Sequence, residues 1–146
     1  MAKQAWEKEA FKRFPELRKF DPMGSAYVLW PELAEAFKRA YRAPRNEDLI
    51  ARIYAFADWC CSQPPGDNAE NDLATCVSVC FYEHIPESPE ALKDMPRWFS
   101  RSEVIAMKET FSYLVDEEGF QTILAAFTRH HRLQKKTGKK KLRRRT

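Results

Sequence analysis

"EDLIARIYAFADWCC" (Glu47–Cys61) decides the fold class, because its apolar residues recur at the spacing of an α-helix. Asn46 precedes it as a good N-cap, and the acidic Glu47 and Asp48 complement the positive end of the helix dipole. The stretch therefore predicts an amphipathic helix, whose predicted buried side comprises Leu49, Ile50, Ile53, Tyr54, Phe56, Ala57 and Cys60.

The same periodicity continues on both sides of this segment. The chain contains 10 Phe, 5 Tyr and 4 Trp but only 4 Gly, so it has bulky core residues and few of the tight turns that a small barrel needs. We predict an all-α fold, a compact bundle of six or seven short helices with a flexible basic C-terminal tail. The other predicted helices lie within 2–14, 26–42, 69–85, 88–95, 103–115 and 120–133.

Charge is distributed unevenly along the chain. The segment Gln134–Thr146 holds eight Lys or Arg and no acid, so the formal charge of +4 leaves about −4 for the rest. We predict a helical domain over 1–133 and a disordered basic tail over 134–146, because Leu142 alone cannot offset the entropy of ordering thirteen residues, at about 1–2 kcal/mol each.

Several classes of function find no support in the residues. No recognisable nucleophile elbow, phosphate-binding loop or distinguished carboxylate pair occurs, so we predict no enzyme, no catalytic residues and no cofactor. No apolar run approaches the roughly 18–20 residues that span a bilayer, and the first ten residues carry charges, so we predict a cytoplasmic protein without a membrane partner.

Four cysteines and one histidine invite a metal hypothesis. Cys76, Cys80 and His84 recur every four residues on one helix face, and Cys60 and Cys61 precede the turn-rich "SQPPGDN". A tight Cys-x-x-Cys knuckle is absent, whereas free Cys is among the most buried residue types. We interpret them as core thiols and predict no metal site, with zinc as the alternative.

Two surface features are candidate protein-binding residues. "MPRWFSR" places Trp98, Phe99 and Arg101 together, and aromatic and Arg residues dominate binding hot spots. We favour the other interpretation, in which the aromatic pair plugs the core before a capping box at "SRSE". Asp116, Glu117 and Glu118 crowd the predicted end of a helix, where Gly119 fits a C-cap, and they form either a solvated turn or a surface for a basic partner.

The basic tail supplies the alternative function. Cations that neutralise phosphates give salt-dependent affinity without base specificity. The residues predicted for such nucleic-acid binding are Lys135, Lys136, Lys139, Lys140, Lys141, Arg143, Arg144 and Arg145.

Three motifs carry a resemblance to a known family. "FPEL" (14–17), "LWPELAEAF" (29–37) and "FYEHIPESPEAL" (81–92) resemble an uncharacterised family of small bacterial helical domains, often encoded beside polymorphic-toxin and immunity loci. The resemblance covers about Glu9 to Gly119 and implies an all-helical, non-enzymatic bacterial protein, without assigning functional residues. The leading hypothesis is therefore a protein-binding domain, as an immunity or accessory factor, and the alternative is a nucleic-acid-associated protein.

Overall fold

Helices make up all the regular structure of the computed structural model, which describes residues 3–68 and 71–145, with side chains described up to Gln134. The all-α prediction is confirmed, since no strand occurs in these ranges. The α-helices are α1 (Ala5–Arg13), α2 (Ala26–Ala40), α3 (Glu47–Cys61), α4 (Leu73–Cys80), α5 (Pro89–Asp94), α6 (Arg101–Ala106), α7 (Lys108–Phe111) and α8 (Glu117–Arg145). Short 3-10 helices cover Pro15–Leu17, Tyr82–Glu87 and Met95–Arg97.

The chain divides into two compact units, an N-terminal unit (Met1–His84) and a C-terminal unit (Ile85–Thr146). In the N-terminal unit α2, α3 and α4 pack on one another and α1 packs on α3. In the C-terminal unit α8 packs on α5, on α6 and on the turn Met95–Arg97. The predicted boundary at Leu133, with a single domain before it, stays a prediction.

Helix α3 begins and ends where its sequence predicts. The Asn46 side chain accepts a hydrogen bond from the Leu49 N–H at 3.1 Å, as expected of an N-cap. The buried face includes Ile50, Ile53 and Phe56, each fully buried. Local capping and apolar spacing therefore suffice to define this helix.

Aromatic rings form the centre of the N-terminal unit. Trp30 of α2 is fully buried, and its ring stacks on Phe56 of α3 and on Phe81, with 5.4 Å between centroids in both pairs. Phe14 and Phe37 extend this cluster edge-on to Phe56 and Phe81. Burying such large rings is the main stabilising contribution available to a unit of this size.

Helix α2 begins at Ala26, where the predicted helix over 26–42 begins. Ser25 caps the helix, its side chain accepting from the Tyr27 N–H at 3.2 Å, so the helix starts before Pro31. Pro31 lies inside the helix, where it lacks the N–H that would bond the carbonyl four residues earlier. The burial of Leu29, Trp30 and Leu33 along one face compensates for that missing bond.

The predicted helix over 103–115 is two helices, which brings the α-helices of the described residues to eight rather than six or seven. Met107 ends α6 with φ −101° and ψ 25°, outside the helical range, and α7 follows directly. No Gly or Pro marks this break, so the local sequence does not predict it.

The "DEEG" segment opens a helix rather than closing one, which corrects our prediction of a C-cap at Gly119. The Asp116 carboxylate accepts the Gly119 N–H at 2.8 Å, and Glu117 and Glu118 lie in the first turn of α8. A Cβ on Gly119 would lie 2.6 Å from the Cβ of Val115, so glycine is required by close packing. An Asp cap followed by acidic residues is the stronger signal, because both satisfy the helix N-terminus.

The backbone of α8 continues to Arg145, through the segment that we predicted to lack structure. Thr146 and the side chains of 135–145 lie outside the described residues, so the eight predicted phosphate-binding cations receive no structural description here. The prediction that this segment is an accessory to the fold stays a prediction.

Candidate functional site

A groove of about 440 Å³ lies in the N-terminal unit, and one of about 430 Å³ lies in the C-terminal unit. Charged residues of both signs line the first, and each lies near an opposite charge: Arg39 lies 3.9 Å from Glu32, and Glu16 binds Arg52, which is outside the lining, at 2.6 Å. The second is the more informative because it contains predicted binding residues. Its described lining residues, which define the Phe99–Phe127 groove, are Pro96, Phe99, Ser100, Arg101, Phe127, Thr128, His130, His131 and Gln134.

One side of the Phe99–Phe127 groove is the short connection before α6. The N–H groups of Trp98 and Phe99 both donate to the Met95 carbonyl at 2.9 Å, which makes the connection a tight turn after Pro96. The predicted capping box is present, because the Ser100 hydroxyl accepts the Glu103 N–H at 3.1 Å and Glu103 accepts the Ser100 N–H at 3.0 Å. These bonds fix the direction in which α6 leaves the groove.

The predicted aromatic pair has two different environments. Phe99 is 9% exposed and packs edge-on against Phe111, at 5.4 Å between centroids, so it forms the core plug that we favoured. Only a small part of its ring lines the groove. Trp98 is half-buried outside the described groove lining, and its indole N–H donates to Asp94 at 3.2 Å. Trp98 therefore has a structural role beside Asp94.

Asp94 is the one buried charged residue among those described, at 8% exposed. It accepts from Arg97 at 2.9 Å as well as from Trp98, and the Arg97 guanidinium lies 5.2 Å from the Trp98 ring centroid. Burying a carboxylate is costly unless hydrogen bonds and opposite charge compensate it. This network therefore holds the turn that carries Phe99.

The other side of the groove is formed by residues of α8. Phe127 is 7% exposed, His130 is half-buried, and Thr128, His131 and Gln134 are exposed. Residues some thirty positions apart form the two sides, so no local motif could indicate the groove.

His130 also lines a smaller groove of about 210 Å³, together with Lys93, Ala126, Arg129 and Leu133. Leu133 is 63% exposed, so α8 presents an accessible apolar side chain between cations. The smaller groove extends the candidate surface across α8.

The electrostatic character of the Phe99–Phe127 groove is one-sided. Arg101 and two histidines lie among its described lining residues, and no carboxylate does. Glu118 is the last acidic residue of the chain, so every charged residue beyond it is basic. A ligand in this groove therefore meets one guanidinium, two imidazoles and apolar rings.

The acidic triplet lies elsewhere on α8. Glu117 precedes Phe127 by ten residues, which is about 15 Å along a helix. Lys108 lies 2.9 Å from the Glu117 carboxylate, and its hydrogen bond, with one from Gln121, holds the pKa of Glu117 below its usual range. Helix capping and this ion pair account for Asp116 and Glu117, so the structure does not join the triplet with Phe99 and Arg101 in one site.

Two of the four cysteines, Cys60 and Cys76, behave as the core interpretation expects, and Cys61 and Cys80 do not. Cys60 and Cys76 are buried, and burial raises the pKa of the Cys60 thiol to about 12. Cys61 is exposed and its Sγ lies 4.0 Å from the Tyr82 hydroxyl, while Cys80 is partly exposed. A hydrogen bond shared with Cys80, together with burial, raises the pKa of Cys76. Thiols that stay protonated are poor nucleophiles and poor metal ligands.

No group of three or more His, Cys, Asp or Glu residues in the described ranges is arranged to hold a metal ion. The described helices also include none with the length and apolar content needed to cross a bilayer. Comparison of the chain with protein-family models, with curated proteins and with solved structures finds no match.

Proposed function

We propose that this chain is a small, non-enzymatic, cytoplasmic protein-binding domain, an immunity or accessory factor of the kind that the resemblance implies, and that its partner binds in the Phe99–Phe127 groove. One observation carries the proposal: two aromatic rings and Arg101 line a single concavity within one unit. Aromatic residues and Arg are the residue types that dominate binding energy at protein interfaces.

The size of the groove supports a short segment as the bound element. Its volume of about 430 Å³ falls within the range of about 300–1,000 Å³ typical of sites that enclose small ligands. Such a volume accommodates one or two large side chains of a partner, with flanking residues lying over the rim. The immobilised turn at Met95–Arg97 gives the site a preorganised side.

A matched pair of variants on α8 tests the proposal. Thr128 lines the groove and Thr122 does not, and both are exposed. Peptides that bind the full-length chain are first selected from a random displayed library. Their affinity for the Thr128→Trp variant should be about tenfold or more weaker than for the wild-type chain, a loss of about 1.4 kcal/mol, and their affinity for the Thr122→Trp variant should be unchanged. Fluorescence anisotropy measures the affinities, and circular dichroism confirms that both variants stay helical. Selected peptides that bind both variants equally, or a library that yields no binders, would contradict the proposal.

A second candidate function is association with nucleic acid through the basic end of α8. The observation that favours it is the absence of any acid after Glu118, while Arg129 and Arg132 are exposed and the helical backbone continues to Arg145. The proposed residues are Lys135, Lys136, Lys139, Lys140, Lys141, Arg143, Arg144 and Arg145.

Salt dependence tests this second function. Binding to random duplex and single-stranded oligonucleotides should weaken steeply between about 50 and 200 mM salt, because each neutralised phosphate releases counterions. A chain ending at Leu133 should lose the binding. Affinity that resists salt and survives this truncation would show that the helical body, rather than the basic segment, contacts the nucleic acid.

A further inference from the structure

The chemistry of the Phe99–Phe127 groove restricts the kind of protein segment that fits it. We infer that its occupant is an acidic segment carrying a large apolar side chain, an inference that rests on the proposed protein-binding function. Charge complementarity identifies the acidic part, and the aromatic lining identifies the apolar part.

The carboxylates closest in sequence to the groove already have partners within the C-terminal unit. Glu103 accepts the Ser100 N–H, and Asp94 accepts from Arg97 and Trp98. Arg101, His130 and His131 thus line a concavity to which the described residues contribute no carboxylate. A partner carboxylate would supply the missing negative charge.

The burial of the aromatic rings favours a protein segment over a nucleic acid at this groove. Phe99 and Phe127 are 9% and 7% exposed, so neither offers the open ring face on which a base stacks. Their exposed edges instead add apolar area for an aliphatic or aromatic side chain inserted from outside. The occupant consistent with both features is an acidic segment anchored by a residue such as Leu or Phe.

Defined peptides test this inference on the full-length chain. The probe is a fluorescein-labelled dodecapeptide with Leu-Phe at its centre and Asp or Glu on both sides. The matched controls carry Ser or Lys in place of the acids, or Ala-Ala in place of Leu-Phe. We expect the acidic peptide to bind about tenfold tighter than the Ser peptide near 50 mM salt, and the difference to shrink as salt screens the charges.

Two charge reversals give the residue-level control. Arg101→Glu should weaken the acidic peptide by about fivefold or more, as expected for a charge at the rim of an interface. Arg18→Glu changes the net charge equally but at an exposed position of the N-terminal unit, and it should leave the affinity unchanged. The Ala-Ala peptide should bind as weakly as the Ser peptide.

The outcomes separate this inference from the proposed function. Equal binding of the Ser and acidic peptides, with both sensitive to Thr128→Trp, would overturn the acidic occupant and leave the groove as a protein-binding site. Peptide binding that ignores Thr128→Trp would overturn both. Acidic-peptide binding that ignores Thr128→Trp and disappears on truncation after Leu133 would assign the attraction to the basic segment alone. Displacement of the acidic peptide by a random duplex, sensitive to Thr128→Trp, would replace the protein occupant with a nucleic acid.

Discussion

The two units of the chain use their aromatic residues and charges differently. In the N-terminal unit a continuous series of ring contacts runs from Phe14 through Phe56, Trp30 and Phe81 to Phe37. In the C-terminal unit the buried Phe99 and Phe127 line a groove. Four of the six exposed large apolar residues of the described chain also lie in this unit, outside the groove lining. The first arrangement maximises burial, whereas the second leaves apolar surface available to a partner.

The charges follow the same division. The N-terminal unit has 11 basic and 13 acidic residues, and the C-terminal unit has 14 basic and 8 acidic. In the N-terminal unit Arg52 binds Glu16 and Asp48 at 2.6 and 2.8 Å, so opposite charges are matched. The comparison teaches that the N-terminal unit stabilises a fold and that the C-terminal unit provides the candidate binding surface.

The largest expected effect is on the aromatic cluster of the N-terminal unit. Trp30→Ala should lower the free energy of unfolding by about 3–5 kcal/mol, because it removes two stacked contacts and leaves a cavity. Denaturant unfolding followed by circular dichroism measures the loss. Tyr113→Ala in the C-terminal unit, where the side chain is 73% exposed, should change stability by no more than about 0.5 kcal/mol. Similar losses for the two variants would contradict the conclusion that buried aromatic rings of the N-terminal unit stabilise the fold more than exposed ones of the C-terminal unit.

The buried charge of the C-terminal unit should give the next largest effect. Asp94→Ala removes the acceptor of the Trp98 N–H and the partner of Arg97, so it should destabilise the protein by about 1–3 kcal/mol. Asp94→Asn keeps an oxygen acceptor and should lose less. If the two substitutions were equally harmless in thermal unfolding, the turn that carries Phe99 would not depend on this network.

Loss of the cap of α8 should cost less than loss of the buried charge. Asp116→Ala removes the acceptor of the Gly119 N–H and should destabilise the protein by about 1 kcal/mol. Glu118→Ala, a residue in the same turn, should cost only a few tenths of a kcal/mol through the helix dipole. The thermal midpoints of the two variants test this order, and a larger effect at Glu118 would show that the triplet does more than cap the helix.

An ion pair of the N-terminal unit should contribute less still, and only above acidic pH. The hydrogen bond from Arg52 lowers the pKa of Glu16, so the folded state favours the carboxylate more than the unfolded state does. The contribution of this pair is therefore present at neutral pH and is lost as pH falls through the lowered pKa of Glu16. Glu16 is about half exposed, which limits the pair to about 1 kcal/mol or less.

The matching variant for this ion pair is Glu16→Gln. It should be less stable than the wild-type chain near pH 7 and equally stable once the pH falls below the lowered pKa of Glu16, where the wild-type carboxyl is protonated. Urea unfolding at both pH values measures the difference. A difference that grows in acid would contradict the sign of this assignment.

The smallest expected effect on stability is that of removing Gln134–Thr146. The last buried residue of α8 among those described is Phe127, so truncation after Leu133 should shift the free energy of unfolding by about 0.5 kcal/mol or less at moderate salt. Differential scanning calorimetry measures it. A midpoint many degrees lower would show that the basic segment stabilises the C-terminal unit. The C-terminal unit would then use its charges for stability, as the N-terminal unit does.

Much of the secondary structure follows from local signals in the sequence. Asn46 and Ser100 cap helices where their side chains indicate, and Cys60 and Cys76 are buried as expected of free thiols. The prediction of a helix stop at "DEEG" was wrong because Gly119 suits either end of a helix. The preceding Asp116 decides in favour of the start, and that signal was present in the sequence.

The helical class, the capped helix starts and the identity of the core aromatic residues can be predicted from the sequence, because they depend on groups within one or two turns of one another. Only the tertiary structure decided the break at Met107 and the groove that joins Phe99 and Arg101 with Phe127, His130 and His131. These features depend on packing between segments far apart in the chain. The hydrophobic effect is non-directional, so the spacing of apolar residues in the sequence does not indicate which distant surfaces pack together.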